Sequence, residues 1–443
     1  MIVGHGGRES ALASRMAEHS RLFAFAGHAN PSLLRYAKAS GGEVQIGDVC
    51  DARAVAEFAR VNDIDIAMVS ADEPLQAGVV DALIAQGTRA VGPTRAGSEI
   101  EWNKEFARAL LADVAPEATP RLRIAHSVDE VAEAIDSFDG APVVVKPAGL
   151  TGGKGVKVMG PHLASHDEAA DYARTLLQDG KHGDCVLIEE KIVGAEFTIQ
   201  AISDGRTVVF PNSTYDYPYR FDGDTGPGTG GMGSLSCAGP LLPFMTQEHY
   251  EQACSIIERV IVRLSELGRR FTGVMNSGFF ATASGVQVIE FNARFGDPEC
   301  MNIMALFDGD WTRVMQRICD GQLAREDVRL RDEASLVLYL VSPDYALPSG
   351  GAAPTAYEFE LDVEAMHSAG CEVFFSSAAH VAANTYRTVG TSRAVALVTT
   401  APTLHEAHER LARCAGSVGV LQWRSEVGDE HYLEGLRSLV RTA

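Results

Sequence analysis

Two lysines and four glycines fall within the fourteen residues Val143-Val144-Val145-Lys146-Pro147-Ala148-Gly149-Leu150-Thr151-Gly152-Gly153-Lys154-Gly155-Val156. A run of branched residues delivers Lys146 at the end of a strand, and a glycine loop carries Lys154 into a second strand. Backbone N–H groups that no side chain shields can close over phosphate oxygens, and two ammonium groups can offset polyphosphate charge. The pattern is not G-x-x-x-x-G-K-[ST], because glycine follows the second lysine and the exit is a strand rather than a helix. Taken alone, these residues also fit a surface hairpin with an incidental lysine.

Two further segments carry polar groups at chemically useful spacing. In Ile188-Glu189-Glu190-Lys191-Ile192-Val193-Gly194-Ala195-Glu196 a strand ends in two acids, with a third acid shortly after. Its end could meet a purine base through the backbone while Glu196 accepts hydrogen bonds from ribose hydroxyls, although a strand end of this kind can also be merely solvated. In Val288-Ile289-Glu290-Phe291-Asn292-Ala293-Arg294-Phe295-Gly296-Asp297-Pro298-Glu299, strand periodicity puts Glu290 and Asn292 on one face and Phe291 on the other. Two oxygen ligands one strand repeat apart suit Mg²⁺, which leaves its other positions to water and nucleotide phosphates. If the strand continues, Arg294 shares that face and could clamp a phosphoryl or carboxylate group. A charged patch on an exposed sheet is the competing explanation, and the apolar Val288 and Ile289 argue against it.

These groups need a scaffold, and the chain alternates in ways that supply one. Over residues 1–93, strands at 1–3, 22–26 and 64–69 and one ending at Val91 alternate with helices from about Glu9, around Val55 and Phe58, and over 75–85. Such β-α-β alternation predicts a parallel sheet covered on both faces. Residues 94–122 read as helical around Ile100, Phe106 and Leu110. Ser127-Val128-Asp129-Glu130 has the S-x-x-E form that opens a helix, and it introduces a small, movable α+β unit over about 120–192. Residues 196–300 read as strands around one long helix, with the glycine-dense loop 222–231, which is expected to be functional rather than a spacer. From about 330 a mixed α/β region runs to the end. The expected division is therefore 1–93, 94–329 and 330–443, consistent with a chain of 443 residues forming several subdomains.

Composition narrows the function classes. A net charge of −21 argues against nucleic-acid backbone as a partner, but a phosphorylated small molecule needs only a locally basic pocket. No apolar run approaches the roughly 18 residues of a membrane span, and no basic stretch leads into a long apolar one as in a secretory signal. Cys50, Cys185, Cys237, Cys254, Cys300, Cys319, Cys371 and Cys414 never form C-x-x-C. Reduced core thiols are therefore expected rather than a disulfide framework or a zinc site. A cytoplasmic location, small-molecule partners and no membrane or nucleic acid follow, with either a monomer or a homodimer as the assembly.

The three polar segments, in their order and spacing, resemble the ATP-grasp superfamily, whose two α+β lobes hold ATP between them. Gly6-Gly7-Arg8-Glu9, Asp222-Gly223-Asp224-Thr225-Gly226-Pro227, Thr229-Gly230-Gly231-Met232-Gly233 and the run 290–299 narrow the likeness to the phosphoribosylamine–glycine ligase family, and Tyr386-Arg387-Thr388-Val389-Gly390 extends it into the third region. The resemblance implies an N-terminal parallel βαβ domain, a two-lobe core and a C-terminal mixed domain, with ATP and Mg²⁺ (or Mn²⁺) as cofactors. It places Lys104, Lys146, Gly152, Gly153 and Lys154 near the nucleotide, with Glu189, Glu190, Ile192 and Glu196 around base and ribose. Glu290 and Asn292 would bind the metal. Arg294, Asp222 and Asp224 would shape the acyl-phosphate site. Gly6, Gly7, Arg8 and Glu9 would meet a ribose phosphate at a helix N-terminus, and Asn30, Asp216, Arg220, Gly230, Gly231 and Met232 would contact substrate.

The chain departs from the family pattern at several places. Ser10 follows Glu9 where the family has histidine, Ala26-Gly27-His28 replaces Pro-Gly-Asn, and Ser70-Ala71-Asp72-Glu73 stands for a Gly-Pro-Glu segment. Tyr215-Asp216-Tyr217-Pro218-Tyr219 replaces Gln-Asp-His-Lys-Arg, with Arg220 one place late, and Pro227-Gly228-Thr229 replaces Pro-Asn-Thr. These changes leave the nucleotide and metal positions intact and fall where amine and amino acid would bind. The implied reaction joins glycine to phosphoribosylamine through glycyl-phosphate; the alternative is a paralogous amide ligase with another amino acid or amine. A dehydrogenase is disfavoured, because Glu9 stands where the third glycine of G-x-G-x-x-G would fall.

Overall fold

The computed structural model describes residues 1–149, 155–181, 183–348 and 353–442. Its first sheet is parallel throughout, in the order Val44–Ile46, Ala24–Ala26, Ile2–Val3, Ile66–Val69, Arg89–Val91. The chain leaves the central strand Ile2–Val3 to one side and later returns to its other side, so a crevice opens at the carboxyl ends of these strands. The turn 4–7 lies at that point and leads into the helix Gly7–His19, which buries Ala11, Leu12 and Met16. Gly4 adopts φ +123°, and a Cβ there would meet Glu9 Cγ at 2.8 Å, so only glycine fits the turn.

The strand Val44–Ile46 and the helix Pro31–Ser40 were not apparent from sequence pattern. The strand is three residues long and half-exposed at the sheet edge, so it has no apolar run to mark it. The helix expected over 75–85 is two helices, Asp72–Gln76 and Val79–Ala85, separated at Gly78, whose φ is +80°.

The unit over about 120–192 is an antiparallel sheet in the order Leu122–Ala125, Val186–Glu190, Val143–Pro147, Lys157–Val158. The helices Glu130–Asp136 and His166–Asp179 pack on it through Val131, Ile135, Ala169 and Ala173, joined by Phe138 just beyond the first helix. That apolar cluster is separate from the large core shared by the rest of the chain. The Glu130 carboxylate accepts the Ser127 hydroxyl at 2.9 Å and the His126 N–H at 2.9 Å, which anchors the helix entry that the S-x-x-E pattern marks.

A second antiparallel sheet, Val208–Val209, Ala195–Ser203, Gly273–Thr282 and Gly285–Asn292, packs against the long helix Gln247–Glu266. The glycine-dense segment is no irregular loop. Tyr219–Phe221 and Thr225–Gly228 form a hairpin whose turn holds Gly223 and Asp224 at positive φ. A third sheet runs Tyr215–Asp216, Gly233–Ser236, Ala334–Leu340, Val395–Ala401, Glu372–Phe375. The boundary expected near 330 thus falls between hydrogen-bonded strands of one sheet. Its companion is a small sheet of Glu358–Glu360, Thr385–Thr388 and Ala378–Ala382.

The helix Glu299–Leu306 is tied to this third sheet by Asn302, which is fully buried. Its Nδ2 donates to Ser335 O and Ser335 Oγ, each at 3.0 Å, and its Oδ1 accepts the Ser234 hydroxyl. Asn302→Leu keeps the volume but strands those partners, so it is expected to destabilise the protein by about 2–4 kcal/mol. Urea unfolding of the variant against the parent reads this directly.

Candidate active-site cleft

A cavity of about 360 Å³ lies where the small unit, the second sheet and the turn after Ile2–Val3 meet. Seven carboxylates and six basic groups line it. Its own charges nearly cancel, so a polyphosphate entering it must bring a cation or rely on local arrangement.

On one wall Glu189, at the end of Val186–Glu190, is gripped by two cations. Arg108 donates to it bidentately, Nε to Oε1 at 2.6 Å and Nη2 to Oε2 at 2.8 Å, while Lys146 Nζ stands 2.7 Å from Oε2. Burial works against the charge on Glu189, but Arg108 and Lys146 outweigh it and hold the carboxyl down at about 2. Arg108 also donates to Ile289 O at 2.8 Å, which fastens the small unit to the second sheet. Glu189 is thus positioned to orient Lys146, and its carboxylate is not free for a base. Lys104 Nζ donates to Gly149 O at 2.7 Å, and burial pulls its ammonium below the ordinary lysine range.

On the facing wall Glu290 and Asn292 both line the cleft, as strand periodicity predicts, with Asn292 Nδ2 3.1 Å from Glu290 Oε1. Arg294 Nη2 donates to Asn292 Oδ1 at 3.3 Å, and its Nε lies 3.1 Å from Glu101 Oε1. Glu101 also accepts the Ala293 N–H at 2.7 Å; burial pushes its carboxyl up to about 7 in spite of Arg294. Burial, with Glu290 adding its charge, lifts Glu196 to about 7 as well. Burial and the neighbouring Glu299 raise Asp216 well above the usual carboxylate range, and burial raises Glu299. Beside these acids Asn276 Oδ1 is a buried oxygen with no hydrogen-bond partner among the described residues. An oxygen-rich wall of under-compensated acids with an orphaned acceptor fits a hard divalent cation.

The third side brings Arg8 and Arg393 to Asp297. Arg8 Nη1 donates to Phe295 O at 3.0 Å, and its Nε donates to Glu9 Oε1 at 2.6 Å. The other Glu9 oxygen accepts the Gly6 N–H at 2.6 Å, so that helix-terminal donor is already used. Arg393 donates to Gly230 O, to Gly231 O at 3.0 Å and to Asp297 O at 2.7 Å. Asp297 also accepts the Tyr339 hydroxyl at 2.6 Å, and Arg393 and Arg8 overcome burial to hold its carboxyl below the ordinary value. Gly231, at φ +101°, completes the turn against Pro298.

Of the residues singled out in the sequence, the cleft gathers Arg8, Lys104, Lys146, Glu189, Asp216, Gly230, Glu290, Asn292 and Arg294. Gly6, Gly7 and Glu9 adjoin Arg8 in the turn and the start of its helix, and Ile192 lies half-buried in the connection between two strands. Gly152, Gly153 and Lys154 lie outside the described residues. Several expectations are corrected by burial and pairing. Asn30 is fully buried, its Oδ1 accepting Ser32 N–H and its Nδ2 donating to His5 O and Phe375 O, each at 2.8 Å; it is a helix cap rather than a substrate contact. Arg220 is buried against Tyr345 O and Gln422 Oε1, and Met232 is a core side chain. Asp222 accepts the Ser425 N–H at 2.9 Å, while Asp224 pairs with Arg424 at 2.7 Å and Tyr432 at 2.9 Å. Neither lines the cleft with Arg294: both clamp the hairpin to the C-terminal segment. Glu190 turns to Arg121, whose N–H it accepts at 3.0 Å.

Sequence reasoning missed Arg108, Glu101 and Arg393. Arg108 lies one helical repeat after Lys104, a signal that was available; Glu101 and Arg393 sit in no local pattern.

Two α+β units sharing one cleft, with lysines on one wall and acids at the end of a strand on the other, define the ATP-grasp class, and this chain is built that way. Residues 102–300 match the family model described as phosphoribosylglycinamide synthetase, ATP-grasp (A) domain, and residues 1–101 match the N domain of the same synthetase. The chain is 37% identical to a phosphoribosylamine–glycine ligase of Methanopyrus kandleri over 98% of its length and 96% of the relative's. It is 37% identical to one of Pyrococcus furiosus over 98% and 95%. The chain belongs to the phosphoribosylamine–glycine ligase family. Its fold resembles the solved phosphoribosylamine–glycine ligase of Thermotoga maritima (TM-score 0.78, 22% identity, covering 96% of this chain and 98% of that one). It also resembles the biotin carboxylase domain of Hydrogenobacter thermophilus 2-oxoglutarate carboxylase (TM-score 0.72, 16% identity, covering 98% and 95%).

The buried triad gives a differential test. Glu189→Ala leaves two buried cations without counter-charge and is expected to cost about 3–5 kcal/mol. Arg108→Ala leaves Lys146 and Glu189 still paired and is expected to cost less; equal losses in urea unfolding would contradict the assigned geometry.

Proposed function

We propose that the cleft joins glycine to 5-phosphoribosylamine at the expense of ATP, giving glycinamide ribonucleotide, ADP and phosphate, a step of purine biosynthesis. The observation that carries this reading is the convergence of Lys104, Lys146 and Arg294 with Glu290 and Asn292 in one cavity of a chain whose full-length relatives are phosphoribosylamine–glycine ligases. Those relatives span nearly the whole chain, which disfavours the alternative of a different amino acid or amine despite the altered segment 215–220.

In the first half-reaction a glycine carboxylate oxygen attacks the γ-phosphorus of ATP and the bond to ADP breaks. Lys104 and Lys146 stand on the nucleotide wall and would neutralise phosphate oxygens there, with Lys146 aimed by Glu189. Glu290 and Asn292, with Asn276 Oδ1 nearby, would hold a divalent cation, Mg²⁺ by the hardness of these donors. That ion, when bound, screens the charge on the phosphates. In the second half-reaction the phosphoribosylamine nitrogen attacks the acyl carbon, phosphate leaves, and the nitrogen loses a proton. Arg294, held by Glu101 and Asn292, would orient the carboxylate and then the acyl-phosphate. Asp216 and Glu299 share a buried site in which two full charges are disfavoured, so one of them holds a proton and the remaining carboxylate is placed to take the amine proton. Arg8 at the crevice of the parallel sheet would receive the ribose phosphate. Arg220, Asn30, Met232, Asp222 and Asp224 have no direct role in this scheme.

The deciding assay supplies glycine, MgATP and phosphoribosylamine formed in situ from ribose 5-phosphate and ammonia, and follows ADP release with mass spectrometry of the amide. ADP and glycinamide ribonucleotide appear together if the reading is right; turnover only with another amino acid or amine would replace it. In the same assay Glu290→Gln is expected to lower kcat by about 10²–10³ without changing the unfolding midpoint appreciably. Lys146→Ala is expected to raise the KM for ATP more than it lowers kcat.

A further inference from the structure

Outside the cleft, the described residues contain one further group of three metal-ligating side chains, Glu105, His126 and Cys185, whose ligand atoms all lie within 4.8 Å of one another. The chain order hides it, but two features of the fold create it. The strands Leu122–Ala125 and Val186–Glu190 pair antiparallel and end at Ala125 opposite Val186, so His126 and Cys185 are the next residues on each strand and meet across the sheet end. Glu105 reaches the same point from the first turn of the helix Lys104–Val114. His126 Nε2 is 3.4 Å from Glu105 Oε1, and Cys185 Sγ is 3.6 Å from Glu105 Oε2.

We propose that Glu105, His126 and Cys185 form a site for a thiophilic divalent ion, with zinc as the best fit. Tetrahedral zinc binds imidazole nitrogen at about 2.0–2.1 Å and thiolate at about 2.3 Å, which sets neighbouring ligand atoms about 3.3–3.6 Å apart. The two separations, which run to the two different oxygens of Glu105, are of that size, and all three ligand atoms lie within 4.8 Å, so side-chain adjustment alone would bring one Glu105 oxygen, the imidazole and the sulfur around an ion. Sulfur, imidazole and carboxylate together select zinc over magnesium, whose preferred ligands are all oxygen. Cys185 is buried, Glu105 half-buried and His126 exposed, so the group has a protected soft ligand and an open side at His126 for entry of the ion and for a water as fourth ligand. The Cys185 thiol donates its proton in a hydrogen bond to Glu105 Oε2. Binding forms the zinc–sulfur bond and sends that thiol proton to solvent. The bound ion would tie the helix that carries Lys104 to two strands of the small unit. The eight cysteines offer no zinc spacing along the chain, and among the described residues only this sheet end assembles such a group.

Equilibrium dialysis of the full chain against Zn²⁺, with Mg²⁺ in excess, is expected to show one tightly held equivalent. Co²⁺ used as the spectroscopic probe should give a thiolate-to-metal charge-transfer absorption. Cys185→Ser should remove that absorption, and both Cys185→Ser and His126→Ala should weaken zinc more than about tenfold. The urea-unfolding midpoint, and ADP formation with glycine, MgATP and phosphoribosylamine, should be unchanged in both variants, which separates loss of zinc from loss of the fold. His126 is exposed, so its variant keeps the test usable if the buried cysteine does not tolerate replacement. Absence of the charge-transfer absorption, or zinc binding that survives both substitutions, would overturn the proposal.

Discussion

Glu189 is a buried carboxylate that two cations reach from different elements, and much of the cleft is arranged around that fact. Taking its charge out of water is expensive, and only well-placed counter-charges and hydrogen bonds repay the cost. Arg108 comes from the helix Lys104–Val114, Lys146 from a neighbouring strand of the small unit, and Arg108 also binds the backbone of the strand that carries Glu290. One charge cluster therefore sets the distance between the lysine wall and the acid wall. The small unit keeps its own apolar core, so this polar seam, rather than shared packing, is a principal link between that unit and the site.

The opposite wall is constrained by a shortage of positive charge. Glu101, Glu196, Asp216 and Glu299 are all raised by burial, which means that the protein alone does not solvate their charged forms. A cleft of this kind is poised for a ligand that brings cations with it, and a metal–nucleotide pair does so. The same wall shows why Arg294 is held by Glu101 and Asn292: a free guanidinium would collapse onto the nearest acid, whereas a pinned one keeps donors directed into the cavity.

The C-terminal region contributes to the site through arginines that act on backbone. Arg393 holds the carbonyls of Gly230, Gly231 and Asp297, and so fixes the turn beside Asp216. Arg424 and Ser425 clamp Asp224 and Asp222, which tethers the glycine hairpin 219–228. The altered segment 215–220 belongs to the same arrangement: Tyr215 and Tyr217 pack with Tyr432, and Arg220 is buried against 342–345 and Gln422. Its departures from the family pattern place apolar rings and a buried cation in the support of the site, with Asp216 the side chain of that segment that lines the cleft.

What the sequence determined by itself was the local chemistry. Glycines beside Lys146, the period-two pairing of Glu290 with Asn292, the helix-opening Ser127 and Glu130, and the parallel first sheet all follow from backbone sterics and side-chain periodicity, which act between near neighbours. Short elements without an apolar run, such as Val44–Ile46, left no such mark. Tertiary structure alone decided which polar residues face the cavity. Asn30, Arg220, Met232, Asp222 and Asp224 lie in segments that read as functional, yet their side chains are consumed in caps, core and clamps. Glu101, Arg108 and Arg393 are unremarkable in the chain and central in space. Charge pairing and burial depend on separations through space, and residues far apart in the chain acquire them only when the sheets close around the cleft.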